Sequence, residues 1–561
     1  MSEKEIKITV EEYESEFSYK KSKTNLNIEF NRVAFIFFIF LIISIIYSIQ
    51  LLHLGSLEKE TSNIKSPITK KNYRADIIDR NGNYLVKTVD SINVGIKPLE
   101  VINKKHLLLM LRHIYKDKDL SQIKNRLDKD QFFYLEKNVR PKRYEELMML
   151  GDKSISSEAS LMRLYPQENL FSHIIGQIDD DNNGISGIEK SFDGELKEIK
   201  EPLKLTVDTD IQFLVREELL KFQKIFKAKG SAAILMNVNN GEILSMVSLP
   251  DFNLNKRENI KDVNYINRAT KGIYELGSVF KTFTIASGIN EGLIEPDTNF
   301  LNSKKKISCG KNHNIAEYDD KMPTDLTVEQ ILIKSGNIGS VRIIRKIGIE
   351  KHKSFLNIIG ILGRIDFDIE EVGSPLPIDW YESCKLETIA FGHGITTTIL
   401  QLAKGYSIIT NGGYDIKPTL IKKDLNKKDK KRKILKKNLS KKMNIILRKV
   451  VSEGTAKLVN VEGYSVGGKT GTAEQVYNSI YSNTKINTLA SIFPVENPKY
   501  VLVVMLESTE NNKEYVYEYR DGSGFKLKGS PRNTAGWTSV EAAGKIIDRI
   551  GPILATKYMQ N

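Results

Sequence analysis

The sequence predicts an α+β protein in which a mainly antiparallel sheet lies beside a helical cluster, preceded by an elongated module and one transmembrane helix. Three observations lead to this prediction. Residues 33–57 contain no charged side chain. Two apolar runs flank Asn240-Gly241, a dipeptide typical of hairpin turns. Strand-like and helix-like runs then alternate to about residue 555, as they do in domains that combine both kinds of element.

The composition is that of a globular protein with more than one domain. The chain has 561 residues, of which 40% are hydrophobic and 27% are charged, and these values exclude a disordered chain. The formal net charge is +14, but residues 422–442 alone carry twelve Lys and Arg against two Asp, a net of +10. A run of this kind is typically a solvated insertion. We therefore expect no nucleic-acid partner.

The N-terminal region predicts a membrane anchor. Residues 1–32 are polar and of mixed charge, and we expect a cytoplasmic tail there. Residues 33–55 are apolar and long enough to cross about 30 Å of hydrocarbon as a helix. A cleaved signal peptide is the competing interpretation, but the run is long for one and no small-x-small cleavage site follows. Lysines on both sides leave the orientation undecided by charge.

Residues 56–225 predict a non-catalytic module. The stretch Arg74–Gly82 favours a strand closed by a turn at Asn81-Gly82. Arg163-Leu-Tyr-Pro166 and Gly187-Ile-Glu189 follow further along the chain. Taken alone, these are turn and salt-bridge residues, so we predict that their role is structural.

The stretch Tyr274–Lys281 holds the first candidate for chemistry. It places Ser278 three residues before Lys281, and in a helix these two side chains share a face. A serine hydroxyl is a weak nucleophile, and a neighbouring amine with a lowered pKa can take its proton. The pattern alone is weak, because the same spacing begins at Ser18, Ser62, Ser303 and Ser523.

Two further motifs give this pattern its context. Ser335-Gly336-Asn337 follows an apolar, helix-like run, and Lys469-Thr470-Gly471-Thr472 follows what we expect to be the entry to a strand. Together, in this order, the three motifs are the signature set of the penicillin-interacting acyl-serine transferases. The chain resembles a class B penicillin-binding protein of the division-specific, septal branch. The resemblance covers nearly the whole chain after the tail, although Ala75 stands where that family more often has glycine.

The resemblance implies a fold and a set of roles. Residues 226–555 would form the penicillin-binding transpeptidase domain, and residues 56–225 would form a pedestal or dimerisation-type domain. Ser278 would attack a peptide ending in D-Ala-D-Ala, with Lys281 as its base, Ser335 as a proton relay and Asn337 as a positioning group. The substrate-binding set would be Lys469, Thr470, Gly471 and Thr472. Lys469 and Thr470 would contact the substrate carboxylate, and Gly471 would keep the strand edge open. Backbone N–H groups of Ser278 and Thr472 would form the oxyanion hole.

The resemblance also implies partners and a location. The partners would be peptidoglycan stem peptides, β-lactams that acylate the same serine, the lipid bilayer, and division proteins that include a separate glycosyltransferase. The protein would cross the bacterial cytoplasmic membrane once, with the catalytic domain on the outer, periplasmic side. We expect no cofactor and no metal, because the seven histidines show no ligand spacing. Packing is the expected role of His393.

Several alternatives stay open at this level. An elongation-specific transpeptidase shares the same plan, and a β-lactamase, a β-lactam sensor or a non-enzymatic division scaffold would belong to other classes. Leu276 and Val279 replace residues common in the first motif, which leaves the helix entry at Ser278 undecided. Cys309 and Cys384 are too few for a disulfide framework, and the sequence does not tell whether they pair. The basic run could also bind anionic lipid or an acidic wall polymer.

Overall fold

The protein is described by a computed structural model in which the chain divides into two compact units, residues 1–70 and 71–561. The described residues are 25–56, 73–116, 119–256, 262–310, 313–423, 431–477 and 480–558. Most of the predicted tail, residues 1–24, and the centre of the basic run, residues 424–430, lie outside them.

The first unit contains one long helix, Asn25–Ser56. Its segment Ala34–Leu52 is long and apolar enough to span a membrane. The helix begins at Asn25, earlier than the predicted residue 33. The reason is that residues 25–32 contain neither proline nor glycine, so the polar sequence can continue the helix beyond the apolar run.

The second unit is built on a five-stranded sheet, here named the central sheet. Its strands lie in the order Gly467–Tyr477, Ile480–Phe493, Tyr500–Glu507, Gly230–Asn237 and Ile243–Leu249, and every neighbouring pair is antiparallel. The predicted hairpin is present, with Gly241 in its turn at φ +75°. Side chains on both faces of the inner strands are buried, because helices cover both sides.

Two groups of helices pack against the central sheet. Thr209–Ile225 and Ser539–Tyr558 pack on one another and on the sheet, and so do Ile399–Thr410 and Leu439–Ser452. The remaining helices of this part are Asp262–Tyr265, Lys281–Glu291, Val328–Lys334, Asn337–Ile347, Ile349–Ile358 and Lys385–Ile389, with short 3-10 turns at Gly277–Phe280, Lys457–Val459 and Ala535–Trp537. Short two-stranded pairs join Asn299–Phe300 to Leu326–Thr327, Lys306–Cys309 to His313–Ala316, and Val516–Glu518 to Lys526–Lys528. The α+β architecture predicted from the sequence is confirmed.

The module before the central sheet has a sheet of its own. The long strand Tyr84–Ile96 pairs with Ile77–Ile78, Phe133–Val139 and Ile155–Leu164, and Leu203–Lys204 runs parallel to Ile77–Ile78. Its helices are Lys104–Ile114, Ser121–Leu127, Pro141–Met148, Ser172–Ile175, Gly187–Ser191 and Asp193–Glu198, with a 3-10 turn at Pro98–Glu100.

The strand predicted over Arg74–Gly82 is shorter than expected. Only Ile77–Ile78 pairs as a strand, because the Asp79 carboxylate accepts the backbone N–H groups of Asn81 and Asn83 and closes the turn early. Gly82 completes the turn at φ +92°, as the Asn-Gly signal predicted.

A buried charge cluster lies at the base of this module. Glu189 is fully buried and pairs with Arg74 at 2.5 Å and with Arg163 at 2.8 Å. Arg74 also contacts Asp193 at 2.7 Å. Arg74, Arg163 and Glu189 therefore compensate one another away from water, with the partly exposed Asp193 at the edge of the cluster, which agrees with the structural role that we assign to Arg163 and Glu189.

The hydrophobic core does not follow the division between module and central sheet. One continuous core includes Ala75, Ile77 and Val86 of the module together with the buried strands of the central sheet. Residues 92–155, which we name the outer lobe of the module, have a second, separate core. Its buried members are Val94, Ile96, Leu107, Leu111, Tyr115, Leu127, Phe133, Val139 and Leu147. The base of the module is thus packed as part of the larger domain, whereas the outer lobe has its own interior.

Candidate active site

The first motif spans a 3-10 turn and the start of a helix. Ser278 lies in the turn Gly277–Phe280 and is partly exposed, and Lys281 opens the helix Lys281–Glu291 and is fully buried. Residues i and i+3 are eclipsed in a 3-10 turn, so the two side chains lie one above the other. The helix entry that Leu276 and Val279 left undecided is therefore a tight turn into the helix.

The second motif joins two helices. Ser335 ends the helix Val328–Lys334, and Asn337 begins the helix Asn337–Ile347. Ser335 adopts a left-handed backbone conformation with φ +59°. For a residue with a side chain this conformation costs about 1 kcal/mol or more. The turn directs both oxygens of Ser335 towards Lys281.

The third motif lies within the edge strand of the central sheet, Gly467–Tyr477. This strand packs directly on the Ser278 turn. A Cβ on Gly471 would stand 2.1 Å from the Leu276 carbonyl oxygen, and a Cβ on Gly277 would stand 2.6 Å from the Thr472 carbonyl oxygen. The expected reason for Gly471 is an open edge for substrate. The structure provides a different one, because the glycine lets the strand touch the turn.

One hydroxyl connects the three motifs. Ser335 Oγ accepts hydrogen bonds from Lys469 Nζ at 2.9 Å and from Lys281 Nζ at 3.2 Å. Lys281 Nζ also donates to the Ser335 carbonyl oxygen at 2.5 Å and to Asn337 Oδ1 at 2.7 Å. Within the described part of the chain, Lys281 Nζ makes no hydrogen bond to Ser278 Oγ. All three donors of an ammonium are in use, so the arrangement suits protonated Lys281.

Burial shifts both lysines towards their neutral forms. Desolvation lowers the pKa of Lys281 to about 7, and the nearby Glu317 charge opposes this shift. The pKa of Lys469 lies well below its usual value, first because of burial and second because of the charge on Lys281. Near neutral pH, Lys281 can therefore exchange a proton.

The residues after Lys469 are fixed by their neighbours. Lys469 Nζ donates to the Thr470 carbonyl oxygen at 3.0 Å, and Thr470 Oγ1 lies 2.7 Å from Thr455 Oγ1. Thr472 Oγ1 donates to Asn487 Oδ1, its partner across the strand pair, and accepts the N–H of Ala535. The Lys469 ammonium is fully buried beneath these side chains. Its charge would therefore reach a substrate carboxylate through hydroxyl groups, without the direct contact we expected.

A cleft of about 970 Å³ opens above this network. Ser278, Ser335, Asn337, Thr470 and Thr472 all line it, and Tyr318 and Trp537 form part of its walls. Lys281, Lys469 and Gly471 lie below its surface. The structure thus brings together all eight residues that the sequence nominated.

A disulfide supports one side of the cleft. Cys309 and Cys384, whose pairing was left open, are bonded with their Cα atoms 5.4 Å apart. They belong to a small apolar cluster with Ile338 and Phe391. Phe391 and His393 line the cleft, and burial is the main cause that lowers the pKa of His393.

Sequence reasoning missed the groups that hold the motif residues in place. Glu317 accepts the backbone N–H groups of Asn337 and Ile338 at 2.7 and 2.8 Å. Thr455 and Asn487 contact the third motif as described above. Of these groups, only Asn487 could have been found from the sequence, because it faces Thr472 once the two strands are paired in register. Glu317 lies outside any motif.

Comparisons with known proteins show the family of the chain. The profile of the family described as Penicillin binding protein transpeptidase domain matches residues 231–521, and that of the Penicillin-binding Protein dimerisation domain matches residues 69–218. The probable peptidoglycan D,D-transpeptidase FtsI of Caulobacter vibrioides is 27% identical over 499 residues, covering 86% of this chain and 82% of the relative. The peptidoglycan D,D-transpeptidase FtsI of Buchnera aphidicola is 28% identical over 513 residues, covering 81% and 86%.

A solved structure shows the same fold. Penicillin-binding protein 3 of Mycobacterium tuberculosis aligns over 86% of this chain and 97% of its own, with a TM-score of 0.64 and 22% identity. The transpeptidase profile alone matches more than half of the residues, so the chain belongs to the penicillin-binding protein transpeptidase family. Within that family it is a class B penicillin-binding protein of the FtsI type, as the ordered motifs predicted.

Proposed function

We propose that this protein is a serine-type peptidoglycan D,D-transpeptidase that cross-links stem peptides during septal wall synthesis. The observation that carries the proposal is the Ser335 hydroxyl, which accepts hydrogen bonds from two buried lysines beside the cleft that Ser278 lines. A partly neutral amine next to a serine is the arrangement that acyl transfer requires.

Acylation begins with proton transfer from Ser278. Neutral Lys281 has only two N–H donors, so it gives up one of its three hydrogen bonds, and the 3.2 Å contact to Ser335 Oγ is the longest of them. Its lone pair then accepts the Ser278 proton while Ser278 Oγ bonds to the carbonyl carbon of the penultimate D-Ala. The C–N bond breaks and an ester to Ser278 remains.

The leaving amine needs a proton, and Ser335 is placed to supply one. Its oxygen accepts from both lysines, which leaves its own O–H free to donate to a nitrogen in the cleft. Ser335 is then reprotonated from a lysine. In the second step an acceptor amine attacks the ester, returns its proton along the same route, and releases Ser278.

The edge strand supplies the oxyanion site in this proposal. The Ser278 turn and the Thr472 backbone are in contact, so the N–H groups of Ser278 and Thr472 can point to one oxygen. Each such donor contributes about 3 to 4 kcal/mol in comparable acyl transfer sites. Thr470 Oγ1, supported by Lys469, would bind the terminal carboxylate.

Labelling with a fluorescent penicillin tests the nucleophile. We expect full-length wild-type protein to form a stable adduct and Ser278→Ala to form none. Ser523→Ala is the matched control, since Ser523 begins another Ser-x-x-Lys pattern but lies outside this cleft. An adduct that persists in Ser278→Ala would overturn the assignment, and rapid multiple turnover of the penicillin would indicate a β-lactamase.

The septal role is supported by the FtsI relatives, and elongation is the second candidate. Depletion separates the two, because loss of a septal enzyme should give filaments and loss of an elongation enzyme should give round, swollen cells. Division proteins and a separate glycosyltransferase are the partners that this proposal implies.

The membrane arrangement belongs to the same proposal. The helix Asn25–Ser56 would anchor the chain in the cytoplasmic membrane with residues 56–225 and 226–555, the pedestal and the transpeptidase domain, on the outer side. Protease added to intact spheroplasts should digest the large unit, and protection of that unit would contradict this orientation.

A further inference from the structure

Glu317 joins a hairpin to the helix of the second motif. It follows the strand His313–Ala316, and its backbone N–H donates to the Lys305 carbonyl oxygen, which fixes its position. Its carboxylate accepts the N–H groups of Asn337 and Ile338, the first two residues of the helix Asn337–Ile347. The carboxylate thus satisfies donors that a helix start leaves open, at the end where negative charge is favoured.

The same short segment controls the Asn337 side chain. Asn337 Nδ2 donates to the Ala316 carbonyl oxygen at 2.9 Å, and this contact turns Oδ1 towards Lys281 Nζ. Residues 316 and 317 therefore hold Asn337 by backbone and side chain together, and Asn337 in turn holds the amine.

Glu317 also supplies negative charge near the buried Lys281. Its charge favours the ammonium form of Lys281, against burial, which favours the neutral form. The other charged and titratable groups around the pair are Lys469, His393, Glu474, Tyr318, Asp319 and Arg532.

We propose that Glu317 is a positioning residue of the transpeptidase reaction, which holds Asn337 and, through Asn337, the Lys281 amine, and whose carboxylate charge acts on that amine. This inference rests on the proposed function. Removing the negative charge makes protonation of Lys281 less favourable, so Lys281 loses its proton at lower pH. A purely structural cap would instead affect the rate equally at every pH.

The test is the pH dependence of acylation by a fluorescent penicillin, measured on the full-length protein in detergent from pH 5 to 9. In Glu317→Gln we expect the acid limb of the second-order acylation constant to move down by about one pH unit. The maximum should fall several-fold, because a neutral amide is a weaker helix cap. Glu317→Asp keeps the charge and should restore the wild-type limb.

Glu329→Gln is the matched control. Glu329 lies in the first turn of the helix that ends at Ser335, but its side chain pairs with Lys449, and among the described residues it makes no hydrogen bond to Lys281, Lys469 or Ser335. The acid limb of the acylation constant of Glu329→Gln should coincide with that of the wild type. An unshifted limb in Glu317→Gln, or a limb shifted to higher pH, would overturn the inference.

Two outcomes separate this inference from the function on which it rests. If wild-type Ser278 is not acylated at all, the proposed function fails. If the wild type is acylated and only the limb prediction fails, Glu317 is a structural cap. Should Glu317→Gln not fold, as judged by thermal unfolding, Glu317→Asn is measured in its place, because it also removes the charge: its acid limb should move to lower pH, and an unshifted limb there would overturn the inference.

Discussion

Replacing Gly471 with alanine should slow acylation of Ser278 by about 100-fold. The new Cβ would stand 2.1 Å from the Leu276 carbonyl oxygen and 3.0 Å from Val279 Cγ1. Carbon and carbonyl oxygen rarely approach closer than about 3.3 Å, so strand and turn must separate by about 1 Å. The strand is held by its long pairing with Ile480–Phe493, so the Ser278 turn is the part that moves.

The expected size follows from that displacement. A reacting group misplaced by about 1 Å can cost about 10²-fold in rate, or about 2.7 kcal/mol of activation free energy. Overpacking should also lower the free energy of unfolding by about 1 to 3 kcal/mol. The two effects are measured separately, by the second-order acylation constant and by thermal unfolding.

Gly194→Ala is the matched control for this substitution. Gly194 is an exposed residue of the helix Asp193–Glu198, and a Cβ there meets no atom of the described residues within 4 Å. Its acylation constant should equal that of the wild type. If the acylation constant of Gly471→Ala lies within about threefold of the wild-type value, the close contact between strand and turn does not position Ser278.

Three further predictions follow from other parts of the structure. Because the pKa of Lys281 is lowered to about 7, its neutral fraction falls from about 0.9 at pH 8 to about 0.01 at pH 5, and wild-type acylation should slow about 90-fold over that range. Lys281→Arg should abolish this limb together with most activity, and a flat wild-type profile would contradict the role of Lys281. Glu189→Gln should destabilise the protein by about 3 to 5 kcal/mol, because Arg74 and Arg163 lose the carboxylate between them. Thermal unfolding measures this loss, exposed Glu198→Gln is its control, and equal melting temperatures would refute it. Replacing both Cys309 and Cys384 with serine should cost about 4 kcal/mol, since their bond closes a loop across 75 positions, and an unchanged melting temperature would show that other contacts already restrain this loop.

The grouping of the eight nominated residues at one cleft was predictable because three short motifs occur in a fixed order. The Asn240-Gly241 hairpin and the apolar anchor were predictable for a similar reason, since each is encoded by a few neighbouring residues. The hairpin and the anchor are each encoded by one local stretch, whereas the site needed all three motifs, because Ser-x-x-Lys alone occurs at other positions.

Features that depend on distant partners were not predictable. Glu317 acts on Asn337 and Lys281 only because a hairpin folds back on the helix start. The environment of the fully buried Lys469 includes Ser335, which lies 134 positions away in sequence. The disulfide needs two cysteines brought within reach by tertiary packing.

Among the described residues, the outer lobe, residues 92–155, has a hydrophobic interior separate from the main core. Substitutions inside it can repack locally without displacing the side chains beneath Ser278. The base of the module has no such freedom, because it is packed into the larger core. Related proteins can therefore remodel this lobe to suit new binding partners while the chemistry stays unchanged, and sequence divergence should concentrate there.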